Sequence, residues 1–384
     1  VDFVEDNDGR TTGTGKFDLS AADSIIDSPP HNKEYFRNHL IFLENYWSKV
    51  TNGKLIVKGE VLDSVIHLTQ KMQHYSSPRS SNTFAETGNL VQDTWQLVDS
   101  LNPGIQFSQY NSFCIFHAGA GRDIDLVSVY GYDPTPFDIP SIYLGLKNLQ
   151  TIFGSGYQGV SVDSGNFFIE NSMVLPETEN RKLQAIGGTA LLQLGINGLL
   201  AGTFGSYLGL PDLFNTKTGK SGIGRFGLMD GQSMFSWSGL FPPEPSAWEK
   251  YYLEKIFDKK GIKLGILKII DVPPGETIAN IPAVGLTTDL DTIYRVPVSA
   301  REYFLIENRN RDAMRNGSTV TMQYNGQTIQ KYFPRDTTNY NAFDQGAIFG
   351  VVTDIDEFDW SLPGGVTKEG IFYDGGILVW HIDE

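Results

Sequence analysis

Hydrophobic positions near the start of this chain follow a helical rhythm. Tyr35, Phe36, Leu40, Leu43 and Trp47 recur at three to four residues, which predicts a helix soon after His31. The run 54–61 follows an Asn52-Gly53 turn and reads as a strand. Leu90, Trp95, Leu97 and Val98 predict a second helix over 89–101, with Pro103-Gly104 beyond its end. Residues 112–116 read as a buried strand that runs into a glycine-rich turn over 117–121. After a loop holding Pro134, Pro136 and Pro140, residues 157–175 have a β pattern. The most helical stretch is expected over 181–207, with Gly187-Gly188 as a possible break. A further helix is signalled by Ser246 before Ala247-Trp248. From about residue 260 the pattern is strand after strand. An α+β fold is expected, with one domain over 1–257 and a β-rich module over 258–384.

Composition narrows the class. At 384 residues, 40% hydrophobic and 20% charged, the chain is globular. Its net charge of −15 argues against a nucleic-acid partner, because phosphate binding needs a basic face. No stretch approaches the roughly 20 apolar residues of a membrane-spanning helix. Cys114 is the only cysteine, which excludes an internal disulfide and a cysteine-based zinc cluster. It lies in an apolar run and reads as a core residue. Both ends have strand-like patterns, so a processed or partial chain is expected.

The informative chemistry lies in residues 199–214, Leu-Leu-Ala-Gly-Thr-Phe-Gly-Ser-Tyr-Leu-Gly-Leu-Pro-Asp-Leu-Phe. This segment resembles the active-site helix and following turn of the immune inhibitor A-type secreted metalloproteases, whose pattern is H-E-[FY]-G-H-x-L-G-L-P-D-L-[YF]. The match holds at Phe204 and Gly205 and again from Leu208 to Leu213. The first histidine of the pattern falls on Gly202, the general-base glutamate on Thr203 and the second histidine on Ser206. In such a motif, two histidines at i and i+4 share one helix face and grip Zn²⁺ while the glutamate activates a bound water. Only Asp212, aligned with the third ligand, is kept. Zinc is therefore not expected, and Thr203 is no general base near neutral pH.

The likeness continues elsewhere. Residues 1–13, 28–36 and 45–47 resemble the start of the family's catalytic domain. Gly227-Leu228-Met229-Asp230 resembles the turn whose methionine lies beneath the metal in related zincins. Residues 302–309 and 376–383 resemble strands of its downstream region. The resemblance implies a zincin-like fold, a secreted or cell-surface bacterial or archaeal protein, and calcium in many relatives. Asp6, Asp8 and Asp18 are the candidate calcium ligands, with Asp123/Asp125 and Asp354/Asp356 as further acidic pairs. His31, His39, His67, His74, His117 and His381 form no H-x-x-x-H pair and read as surface or capping residues; His117 stands apart because it ends a central strand beside a glycine turn, but it coincides with a His-Ala-Gly pattern of the family that is not its zinc site.

The expected function is a catalytically inactive metalloprotease-like protein that binds a protein or peptide partner, or a second copy of itself, in an extracellular assembly. A peptide strand docked along a sheet edge near 166–175 is one form this takes. The alternative is an active hydrolase with a rearranged site, using Ser206 or Ser233, although no G-x-S-x-G elbow accompanies either serine.

Overall fold

The computed structural model describes all residues except 82, 186, 274, 276–279, 287–289, 336–344, 358 and 360. The fold is mixed α and β, as the sequence pattern leads one to expect. Its helices are α1 (Lys33–Val50), α2 (Met72–Tyr75), α3 (Ala85–Leu101), α4 (Leu126–Tyr130), α5 (Leu146–Phe153), α6 (Asn197–Leu208), α7 (Ser236–Gly239) and α8 (Ala247–Lys259). The first seven strands are β1 (Cys114–Ala120), β2 (Ile142–Gly145), β3 (Val160–Val162), β4 (Phe167–Ile169), β5 (Asn171–Thr178), β6 (Arg181–Ala185) and β7 (Gly188–Leu192). Among the described residues nine more follow: β8 (Leu267–Asp271), β9 (Asp291–Pro297), β10 (Glu302–Asn310), β11 (Ser318–Tyr324), β12 (Gln327–Phe333), β13 (Val351–Ile355), β14 (Gly365–Val366), β15 (Phe372–Tyr373) and β16 (Gly375–Asp383).

The helix ends follow from local chemistry. The Asn32 side chain accepts hydrogen bonds from the Glu34 and Tyr35 amides and so caps α1. Ser246 and Glu249 form a reciprocal capping box at the start of α8. A three-stranded sheet in the order β1-β5-β2 lies in the first half of the chain, with β1 parallel and β2 antiparallel to β5. In the second half, β16-β10-β9-β8 and β12-β11-β13 form two further sheets.

The packing crosses the boundary expected at residue 257. One core cluster joins Leu43, Trp47 and Phe204 to Val320, Met322, Val352 and Ile355. A second cluster gathers Leu90, Val91 and Val98 of α3 with Phe113, Ile115 and Val174.

Three local expectations are corrected. The stretch 181–207 is not one helix: β6 and β7 pair as a hairpin, and only α6 is helical. Gly187, at φ 107°, supplies a positive dihedral in the hairpin turn, and Gly188, at φ 141°, opens β7 opposite Ala185. Residues 54–61 form no strand ladder, although 56–62 lie in neither helix nor turn. The stretch 117–121 is not a free turn, because β1 continues through Ala120.

Candidate functional site

Helix α6 carries Gly202, Thr203 and Ser206, and its residues from Asn197 to Gly205 are buried. Small residues at 198, 202 and 205 let neighbouring chain approach closely. A Cβ added at Gly202 would meet the Met234 Cε at 2.6 Å and its Sδ at 3.0 Å. A Cβ at Gly198 would overlap the Met234 backbone carbonyl, and one at Gly205 would lie 2.8 Å from the Met229 Sδ. The face that would have to project a ligand from position 202 is therefore filled by the Met234 thioether.

The other positions have settled into ordinary helix roles. Thr203 is buried. The Ser206 hydroxyl turns back on its own helix and donates to the Gly202 carbonyl at 3.4 Å. Helix α6 ends at Gly209, whose φ of 105° is left-handed, and the Leu210 amide returns to the Gly205 carbonyl at 3.0 Å. Asp212 follows on the exposed side of this turn.

The loop around Met229 is held from several directions. The Met229 amide donates to Glu249 Oε1 at 2.6 Å, and its carbonyl accepts from the Leu213 amide at 2.9 Å. Buried Asp230 accepts from the Ser221 hydroxyl at 2.5 Å and from the Gln232 amide at 3.0 Å. Met229 itself is fully buried beneath Gly205. Ser233 is also fully buried, and its hydroxyl has no partner among the described residues, so it is not presented to a substrate.

The candidate calcium ligands do not converge. Asp8 is gripped by the Arg10 guanidinium, which holds its carboxyl down at about 2. Asp6 pairs with Lys71 at 3.0 Å, and Asp18 accepts from the Ser20 amide at 2.9 Å. Asp123 accepts from Ser141, Asp125 caps α4, and Asp354 pairs with Lys49 at 2.5 Å. Among the described residues no group of three or more His, Cys, Asp or Glu side chains is placed to hold a metal ion.

His31 and His39, read as surface or capping residues, are buried instead, and so is His117. His31 bonds Glu177 through Nδ1 at 3.0 Å; burial opposes its charge, yet the carboxylate raises its pKa. His39 reaches Asn197 Oδ1 at 2.8 Å and lies 3.7 Å from Asp27 Oδ2, beneath the start of α6. Asp27 also accepts from the Ile196 amide at 2.9 Å and so anchors the entry to that helix. Spacing gives no hint of this cluster, because its members lie far apart in sequence.

His117 is fully buried in β1, and its Nδ1 faces the Ala118 carbonyl at 2.9 Å. Burial pushes its pKa down to about 4. An unfolded chain takes up this proton near pH 6.5 and the folded chain does not, so stability falls as the pH drops from about 6.5 toward 4. The expected loss is about 2–3 kcal/mol, and denaturation midpoints of His117→Gln should be flatter across this window. Equal slopes for variant and parent would assign the pH dependence to other groups.

Asp212, Met229 and the α6 positions are thus brought into one neighbourhood, but as a packed core with an exposed carboxylate at its edge. Comparison with known proteins finds no protein-family model and no curated protein that matches this chain.

Proposed function

We propose that this chain is a degenerate relative of the immune inhibitor A-type secreted metalloproteases. It keeps a zincin-like scaffold, lacks zinc chemistry, and acts as a binding component of an extracellular or cell-surface assembly. The observation that carries this reading is Met234 lying against Gly202. Two histidines and a glutamate are replaced by Gly202, Thr203 and Ser206, and the first of these positions is also filled from outside the helix. Restoring the side chains alone would therefore not restore a metal site. One exposed carboxylate, Asp212, falls short of the three protein ligands that catalytic zinc requires.

No observation favours the rearranged hydrolase. Ser206 is bonded to its own helix and Ser233 is buried. The reading is tested by elemental analysis of the purified protein together with digestion of a broad peptide mixture. The expected result is no stoichiometric zinc and no cleavage. Stoichiometric zinc with cleavage that a chelator abolishes would overturn it. Gly202→His/Thr203→Glu/Ser206→His is expected to remain metal-free, because the space above position 202 is taken.

A further inference from the structure

Strand β5 is the centre of its sheet, paired with β1 on one side and β2 on the other, so the docking edge expected near 166–175 is not open along it. The far end of that strand holds a different feature. Beyond Thr178 the chain takes two residues, Glu179 and Asn180, to pass from β5 into β6. The Glu179 side chain is fully buried, and no group among the described residues donates a hydrogen bond to either of its carboxyl oxygens. A buried carboxylate without donors is costly, so its surroundings decide which form it takes.

Three charged groups face Glu179: Asp123 from the loop after β1, Asp138 from the loop before β2, and Arg181 at the start of β6. Gly121 is what lets the first two carboxyl groups meet. A Cβ there would overlap Glu179 Oε1 and lie 2.5 Å from Asp123 Oδ2. Donors are divided unevenly among these acids. Asp123 accepts from the Ser141 amide at 3.0 Å and the Ser141 hydroxyl at 2.8 Å. Asp138 accepts from the Thr12 amide at 2.6 Å, the Thr12 hydroxyl at 2.7 Å and Arg181 Nη1 at 3.0 Å. Arg181 also donates to the Gly121 carbonyl, and its Nε stands 3.8 Å from Glu179 Oε2. The other charged neighbours are engaged elsewhere. Glu177 of β5 bonds His31 and the Gly119 amide, Arg122 reaches the Ser77 and Pro136 carbonyls, and Lys182 is exposed. With every acid ionised, three carboxylates would surround one guanidinium, and Glu179 would face Asp123 with no donor between them. Two carboxylates that share a site do not both ionise readily.

We propose that Asp123 and Glu179 hold one proton between them, carried by Glu179 and donated to Asp123, and that this proton latches the root of the β6–β7 hairpin. The division of donors places it: Asp123 keeps its charge against Ser141, while Glu179 lacks any other partner. Burial, and after it the Asp123 charge, push the Glu179 pKa well above the ordinary glutamate value. The latch acts on what lies next in the chain. The Asn180 side chain donates to the Ile26 carbonyl at 2.6 Å and accepts from the Leu194 amide at 2.9 Å, which closes the base of the hairpin. Above that base β6 and β7 pair only with each other among the described residues. Opening the root puts Glu179 in water, where its proton leaves near the ordinary value of about 4.5. Between that value and the raised one, opening releases a proton, so the open fraction grows by up to about tenfold per pH unit. The latch is closed in acid and loosens as the pH rises.

Amide hydrogen exchange over 181–194, corrected for the intrinsic rate, reads the open fraction. From about pH 5 to about pH 7 it should rise at least tenfold in the parent. It should stay level in Glu179→Gln, whose side-chain amide keeps the hydrogen bond to Asp123 without a titrating proton. Asp123→Asn is the second variant: its N–H reaches Glu179 in place of the shared proton, so its slope should flatten as well. At about pH 6, where an ordinary glutamate is ionised, the parent should show an infrared band of a protonated carboxyl group that Glu179→Gln removes. Equal exchange slopes in parent and Glu179→Gln, or identical infrared bands, would overturn the shared proton. A slope no steeper over 181–194 than over β1 and β5 would overturn the latch. So would millimolar calcium chloride that slows exchange in the parent but not in Glu179→Gln, because a cation would then hold the pair.

Discussion

Gly198→Ala is expected to destabilise the protein by about 3 kcal/mol or more, even though alanine favours a helix over glycine by about 1 kcal/mol. The added methyl group would run into the Met234 backbone carbonyl, and rotating a side chain cannot relieve a clash with backbone. Either α6 or the turn over Ser233–Phe235 must move, and both are packed into the core. Gly202→Ala provides the contrast. There the obstacle is the flexible Met234 thioether, first met at 2.6 Å, so a smaller loss of about 1 kcal/mol is expected. Urea denaturation of the two variants beside the parent gives the comparison. If Gly198→Ala matched the parent, Met234 would not be clamped against α6 and would not fill the space at position 202.

The second large effect is expected at Arg309. This side chain is fully buried, forks onto both Asp359 oxygens, and donates to the carbonyls of Phe226 and Glu244. Glu307 lies a further 3.7 Å from it. Arg309→Met removes the cation and leaves two buried carboxylates uncompensated, at a cost of about 3–5 kcal/mol. Methionine keeps much of the volume, so the loss reports charge more than a cavity. With Asp359→Asn added, the further cost of Arg309→Met should shrink, because the two changes share one interaction. A full additive cost in the double variant would mean that Arg309 acts through the loop carbonyls alone. Those carbonyls matter here too: Phe226 leads into the Met229 loop, so β10 braces the floor under α6.

Much of the secondary structure was legible in local signals. The Tyr35–Trp47 rhythm marks α1, and Ser246 before Ala247-Trp248 marks α8, because such signals need only residues a few positions apart. The β-rich character after residue 260 was also visible, from alternation and turn residues. The misreadings came where local pattern is ambiguous. Leu183, Leu191 and Leu192 sit in a stretch that fits either period, and the hairpin is settled by the pairing of β6 with β7, from Ala185 opposite Gly188 to Arg181 opposite Leu192. The run 54–61 has a strand pattern, but a ladder needs a partner, and among the described residues no strand pairs with it.

For the candidate site, the sequence by itself determined which chemical groups are present. Gly202 carries no ligand, Thr203 carries no base near neutral pH, and Ser206 carries no imidazole, whatever surrounds them. Those facts are fixed by covalent structure. What surrounds them was decided by folding. Met234 against Gly202, Met229 under Gly205, and the burial of His31, His39 and His117 are contacts between segments distant along the chain. Packing of that kind depends on where every neighbouring element comes to rest, and no spacing within α6 encodes it.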